Sequence, residues 1–373
     1  MATGFVPYLL KQSQAAFMGA SPASKITPPG FLKYLLDNGT PNVLSGGVDD
    51  GLGHLRDVNI KIPVRGLAGS TSTTDDCLIN AMPVYAEDTV DLSYFRKSSL
   101  FIPDETIARY ENEASQTVAV GAPSVGITRE IWDAVIRNAN ALFSDINSDL
   151  CAKLAINAGV NATTGLNTPK TVNFPLSTTN NALNTGMNEI LSDIMVNEMN
   201  PNNVAIVGAG LINNYMIMQA AKSYNLGGLN TALELMPKFY HDVRFTTSHG
   251  ANEFVVLDKN SVQLIKYNRF RGFKGGDHLT TFTGTITLPV IDSAGDNQLS
   301  MYEFDYQLKY NDCPQTVDTD VYGYGGSSHS IGRGWIFTLM SSYDIYTMPS
   351  SVWNAADRLA GNNGVLGYVA TNS

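Results

Sequence analysis

Cysteine is scarce in this chain. Cys77, Cys151 and Cys313 are too few and too scattered to frame a disulfide scaffold, and their odd number points to folding in a reducing, intracellular setting. No Cys-x-x-Cys or other zinc spacing occurs. The five histidines, His54, His241, His249, His278 and His329, stand singly, so no local ligand set defines a metal site. Long apolar runs are missing too, since no stretch approaches the roughly 20 residues a membrane-spanning helix needs. The N-terminus lacks the basic segment and apolar run of a secretory signal. The expectation is a soluble chain with no membrane partner.

Charge is also sparse. Charged residues make up 16% of the 373, whereas about a quarter to a third is common on soluble surfaces. Two readings stand side by side: much of the surface faces other protein, or it is broad and rich in Asn and Thr. With 24 Lys and Arg against 34 Asp and Glu the net charge is -10, which opposes non-specific attraction to nucleic acid. No helix with convergent Arg, Lys, Asn or Gln marks a sequence-reading element.

What the chain does contain is pattern. From Tyr302 it reads Tyr-Glu-Phe-Asp-Tyr-Gln-Leu-Lys-Tyr, and Trp335–Met340 leads into Tyr343-Asp344-Ile345-Tyr346. Period-two alternation predicts strands with one buried face over these runs. Val58–Arg65 alternates in the same way, and Gly69–Asp76 has turn composition. With Leu78–Tyr85 as the returning strand, these predict a long protruding β-hairpin. Phe31–Leu36 after Pro28-Pro29 predicts a short helix. Ile127, Ile131, Val135, Ala139, Leu142, Ile146, Leu150 and Leu154 recur every three or four positions, widened by Trp132, Ile136 and Phe143. That stripe predicts a helix over Ile127–Ala158, about 32 residues and about 50 Å long.

A Thr- and Asn-rich linker is expected over Asn161–Asn181. Beyond it come a helix over Leu183–Glu198, a buried strand over Asn203–Val207 and a helix over Leu211–Tyr224. Strands are expected at Val243–Thr246, Glu253–Leu257 and Val262–Tyr267, giving a compact α/β unit over about 160–268. Val207-Gly208-Ala209-Gly210-Leu211-Ile212-Asn213 imitates the opening of a dinucleotide fold. Its sixth position, Asn213, is not small, and Asp242 lies too far along for a ribose-binding acid. A tight strand-to-helix turn is the expectation. Asp49-Asp50 and Asp75-Asp76 read as solvated turns.

Taken in order, these elements resemble the major capsid proteins of tailed double-stranded DNA bacteriophages, the Hong Kong 97-like fold also used by encapsulin shells. The nearest local likeness is Asn200-Pro201-Asn202-Asn203-Val204-Ala205-Ile206-Val207 followed by a helix, together with Glu253–Asp258 and Val262–Ile265. The resemblance implies an α+β chain with an N-terminal arm (1–55) and an extended hairpin loop (56–92). A peripheral domain would span 93–182 and 269–373 with the spine helix 127–158, and an axial domain would span 183–268.

It further implies a structural, non-enzymatic protein without cofactor or metal. Such a protein assembles in the host cytoplasm as pentamers and hexamers into an icosahedral virion shell. Its expected partners are copies of itself, portal and scaffolding proteins, a decoration protein, and double-stranded DNA held without sequence-specific binding. An encapsulin-like nanocompartment or another virion component is the alternative. Inter-subunit candidates are Ile60, Ile62, Arg65, Gly227 and Gly228, of which Arg65 offers a guanidinium for a neighbour's carboxylate. Trp132 and Phe143 are expected to serve the spine's own packing.

Overall fold

The computed structural model describes residues 28–38, 42–46, 57–63, 85–106, 108, 125–156, 169–174, 185–197, 199–216, 237–259, 261–268, 281–290, 300–311, 315–317, 329–348 and 363–372. Helices and strands are mixed. Among these residues the strands are β1 (Asn42–Gly46), β2 (Asp57–Pro63), β3 (Tyr85–Asp91), β4 (Tyr94–Pro103), β5 (Lys170–Asn173), β6 (Val204–Gly208), β7 (Lys238–His241) and β8 (Glu253–Asp258). They continue as β9 (Val262–Tyr267), β10 (Thr281–Val290), β11 (Ser300–Asn311), β12 (Gln315–Val317), β13 (His329–Ile331), β14 (Gly334–Thr347) and β15 (Val365–Thr371). The chain divides into two compact units, one of residues 1–28, 94–146 and 266–342, the other of 29–93, 147–265 and 343–373.

In the first unit the strands lie in the order β10-β11-β14-β4. β10 and β11 pair antiparallel over their whole facing length, from Thr281↔Lys309 to Val290↔Ser300. The alternation at Tyr302 buries Tyr302, Phe304 and Leu308 as expected, but Asp305 on the other face is buried too. Phe143 of the helix Val125–Ile156 meets Tyr302 and Phe304 edge-on, with ring centroids 4.9 and 5.2 Å apart. Aromatic edges against faces add to the area buried. Ser99 and Thr338 hydroxyls join β4 to β14 at 2.9 Å.

In the second unit a five-stranded sheet runs β5-β15-β8-β6-β7. Its centre is apolar on both faces: β6 is buried at every residue, and Val255, Val256 and Leu257 of β8 are at most 3% exposed. Phe254 and Tyr368, opposite each other in register, stack with centroids 5.4 Å apart. The helix Gly30–Asp37 packs on β6 and β7, its Tyr34 edge-on to Tyr240 at 5.6 Å. Pro29 gives that helix no capping side chain, so its first free N–H groups find tertiary acceptors. Phe31 N–H donates to Asp242 Oδ2 (2.9 Å) and Leu32 N–H to Asn147 Oδ1 (2.9 Å). Also in this unit, β9 pairs β14, and Met348 N–H donates to the Ser261 carbonyl at 2.8 Å.

A separate sheet of three antiparallel strands, β1-β2-β3, carries the hairpin. Its partner strand is Tyr85–Asp91 rather than Leu78–Tyr85, with Val58 opposite Val90 and Ile62 opposite Ala86. Register explains the shift. Val90 is the apolar residue that continues the buried face of Val58, and the acidic run Glu87-Asp88 hides that strand from composition. Residues 78–84 lie outside those described. β1 runs into the glycine-rich stretch that precedes β2.

Three more expectations change. Residues Phe245–Ser248 form a short helix, not a strand, closed by Thr246 Oγ1 donating to the Val243 carbonyl at 2.6 Å. β5 forms inside the expected linker, held parallel to β15 from Tyr368↔Lys170 to Thr371↔Asn173. β15 itself, assigned with 269–373 to a peripheral domain, sits between β5 and β8 in the sheet that contains β6. The spine helix spans Val125–Ile156, within two residues of its expected bounds.

Candidate functional site

Where the hairpin joins the rest of its unit, the contacts are carboxylates. Asp344 stands alone in the apolar run of β14 and is completely buried. Its Oδ1 accepts from Lys153 Nζ (2.6 Å) and from Ile345 N–H (2.7 Å), and its Oδ2 accepts from Ser93 N–H (3.2 Å). A buried carboxylate must exchange its lost water for protein donors, and three donors converge here. Four residues before the hairpin's exit at Leu92, Asp88 accepts from the Tyr346 phenol at 2.7 Å. Burial, and then the neighbouring Asp88, push the Tyr346 phenol well above its usual range, so it stays a neutral donor.

The outward face of the hairpin is polar. Lys61 lies 3.8 Å from Glu87 and 5.3 Å from the centroid of the Tyr85 ring, which is 46% exposed. Beside them Thr89 Oγ1 donates to Asn59 Oδ1 at 2.8 Å. The inward face holds Val58, Ile60 and Val90, all buried. One side of the ribbon therefore fixes it to its own chain and the other is open.

A second polar centre lies under the helix Gly30–Asp37. Asp242 accepts from Phe31 N–H, from Asn147 Nδ2 (2.7 Å) and from Arg244 N–H (3.0 Å). Nearby, His249 stacks on Phe245 at 4.0 Å and its Nε2 lies 3.2 Å from the Cys151 carbonyl. That carbonyl can only accept, so Nε2 carries the proton. Burial lowers the imidazole's proton affinity, against the pull of that carbonyl and of Glu253. Burial drives the Cys151 thiol far above its normal range, which leaves it a packing group rather than a nucleophile. At the sheet's other edge Asp193 takes Lys170 Nζ (2.8 Å) and the Tyr368 phenol (3.0 Å).

Of the residues singled out by sequence, Ile60 is in β2 and wholly buried inside its own chain, so its side chain has no surface left to offer a neighbour. Ile62 is in β2 opposite Ala86, its side chain outside the described atoms. Arg65, Gly227 and Gly228 lie outside the described residues. Trp132 is in the spine helix with its side chain undescribed, and Phe143 is buried on Tyr302 and Phe304.

The Gly208-Ala209-Gly210 turn is filled by the chain itself. A Cβ on Gly208 would come within 2.4 Å of Phe254 Cβ, and one on Gly210, whose φ is +75°, within 2.3 Å of the Ala251 carbonyl oxygen. Glycine is there for close backbone approach. Among the described residues no His, Cys, Asp and Glu side chains gather as a metal site. Sequence reasoning missed Asp344, Asp88 and Tyr346; a single carboxylate inside an apolar strand was the available signal.

No family model and no curated protein matches the chain. Among solved structures the neighbours include phage capsid structures. The capsid structure of the cyanophage P-SCSP1u is 12% identical, with a TM-score of 0.40 over 95% of this chain and 92% of that one. The capsid asymmetric unit of cyanophage A-1(L) is 10% identical, with a TM-score of 0.44 over 94% of each. A virus-like particle from Pyrococcus furiosus is 8% identical, with a TM-score of 0.30 over 97% of this chain and 96% of that one.

Proposed function

We propose that this chain is the major capsid protein of a tailed double-stranded DNA bacteriophage. The observation that carries the reading is the order of its own elements: a hairpin over 57–91, a spine helix over Val125–Ile156, and a sheet built from β6, β7 and β8 with the last strand of the chain returned into it. That is the succession of the family the sequence resembles. Subunits assemble as pentamers and hexamers into an icosahedral shell around DNA, with scaffolding, portal and decoration proteins as helpers. The hairpin's polar outward face and Arg65, Ile62, Gly227 and Gly228 are the proposed contacts between copies. Chemistry is not required, because support from neighbours is the mechanism; a three-stranded ribbon with one polar face gains stability when another copy covers that face.

Electron microscopy of particles purified from cells expressing the protein with its phage partners tests this. Closed shells holding DNA are expected. Tubes or monodisperse monomers overturn the reading, and closed shells without DNA redirect it to a nanocompartment.

A further inference from the structure

The hairpin reaches the rest of its unit through residues 88–93, and polar groups hold that stretch. Asp88 receives the Tyr346 phenol at 2.7 Å, and Ser93 N–H reaches Asp344 Oδ2 at 3.2 Å. Close packing is absent between these two points. A cleft of about 480 Å³ opens there, lined by Thr89, Asp91, Lys153, Tyr346, Thr347 and Asn363. The cleft is open to solvent, which leaves the root of the hairpin room to rotate on that side.

We propose that Asp344 and Asp88 form a two-point latch that sets the angle of the hairpin, and that the cleft is the space through which its root swings when the outer point opens. The two points are unequal. Asp344 is buried and takes three donors, Lys153, Ile345 N–H and Ser93 N–H, so it acts as the pivot. Asp88 is exposed; its Oδ1 takes the adjacent Thr89 N–H (2.8 Å) within its own strand, and its link to β14 is the Tyr346 phenol on Oδ2, for which water competes, so this point releases first. The purpose of such a latch rests on the shell reading, because a subunit that occupies unlike positions in one shell needs more than one hairpin angle. The latch itself belongs to the single chain.

Hydrogen exchange read by mass spectrometry on the full-length protein tests it. Tyr346→Phe keeps the ring and removes only the hydroxyl. Protection across 85–93 is expected to fall about three- to tenfold, the weight of one such bond, while protection across 253–258 is unchanged. Asp88→Ala removes the same bond from the exposed end, together with the acceptor of Thr89 N–H, without touching the buried ring, and a fall at least as large is expected. Unchanged protection at 85–93 in both variants overturns the latch. A fall in Tyr346→Phe alone traces to the ring's packing and also overturns it. Microscopy of wild-type particles keeps the two ideas apart. Shells with an unloosened root in the variants leave the shell reading standing without the latch, and loosening without wild-type shells does the reverse.

Discussion

In the five-stranded sheet β6 is buried at every residue, whereas in the three-stranded sheet β3 buries Val90 and exposes Tyr85, Glu87, Asp88, Thr89 and Asp91. Both belong to one unit of one chain. The first has neighbours on both sides of each central strand and apolar cover on both faces, so burial alone explains why it holds. The second has one covered face and an outward face of cross-strand polar pairs, each worth only a few tenths of a kcal/mol to about 1 kcal/mol. A strand system of the second kind keeps its shape by being fastened at its root, and its free energy of opening is low where the other's is high.

The comparison breaks first at Leu257. It is fully buried in β8, between β15 and β6. Leu257→Ala should destabilise the protein by about 3 kcal/mol through lost transfer energy and the cavity left behind. Thr89→Ala on the outward face of β3 should stay within about 0.5 kcal/mol. Urea denaturation of both variants measures the contrast, and equal costs would mean that the two sheets are not differently built.

A smaller loss is expected at the turn after β6. Gly210→Ala places a side chain at a φ of +75° and against the Ala251 carbonyl, a combination that should cost about 2 kcal/mol. The same turn offers a check on the nucleotide alternative. If the glycines held a dinucleotide, millimolar NAD would raise the melting temperature of the wild type by linkage; a scan with and without NAD should superimpose.

How far these features were legible follows from how local they are. The spine helix and β11 declare themselves through periodicity, and β8, β9 and β14, buried on both faces over most of their length, through near-continuous apolar runs. β15 and β5 do not. Val365–Thr371 becomes a central strand only because Tyr368 finds Phe254 on one side and Lys170 on the other, more than a hundred residues away. β3 was masked by its acids, and its identity depends on Val90 meeting Val58. The latch was illegible for the same reason. Nothing in the neighbourhood of Asp344 names Lys153 or Ser93 as its partners, although a lone carboxylate in an apolar run does announce that partners must exist.

Acid should act on the well-packed sheet through His249. Burial lowers its proton affinity in the fold, so the unfolded chain binds the proton more readily. Stability from this group is therefore present above the unfolded value of about 6.5 and is lost as pH falls toward and through the folded value. Glu253, with Oε2 3.7 Å from Nδ1, works against the shift but does not reverse it. Denaturation midpoints taken between about pH 7.5 and about pH 5.5 should fall more steeply for the wild type than for His249→Gln. Parallel slopes would show that the imidazole does not carry this acid sensitivity.

The smallest folding effect is expected on the hairpin's open face, where it separates stability from assembly most sharply. Lys61 is 39% exposed at its side chain and its partner Glu87 is 69% exposed, so their ion pair is screened by water. Lys61→Glu sets two like charges opposite each other, yet both remain solvated. The cost to the isolated chain should stay within about 0.5 kcal/mol. In a shell the same face would be covered by another copy, where a reversed charge lacks that solvent and repels what it met before. Denaturation of the dispersed protein should thus be nearly unchanged while the yield of closed particles, measured by sedimentation, falls. Full yield with Lys61→Glu would mean that the outward face is a solvated surface and that copies meet elsewhere. A large loss of folding stability would mean instead that this face is already packed within its own chain.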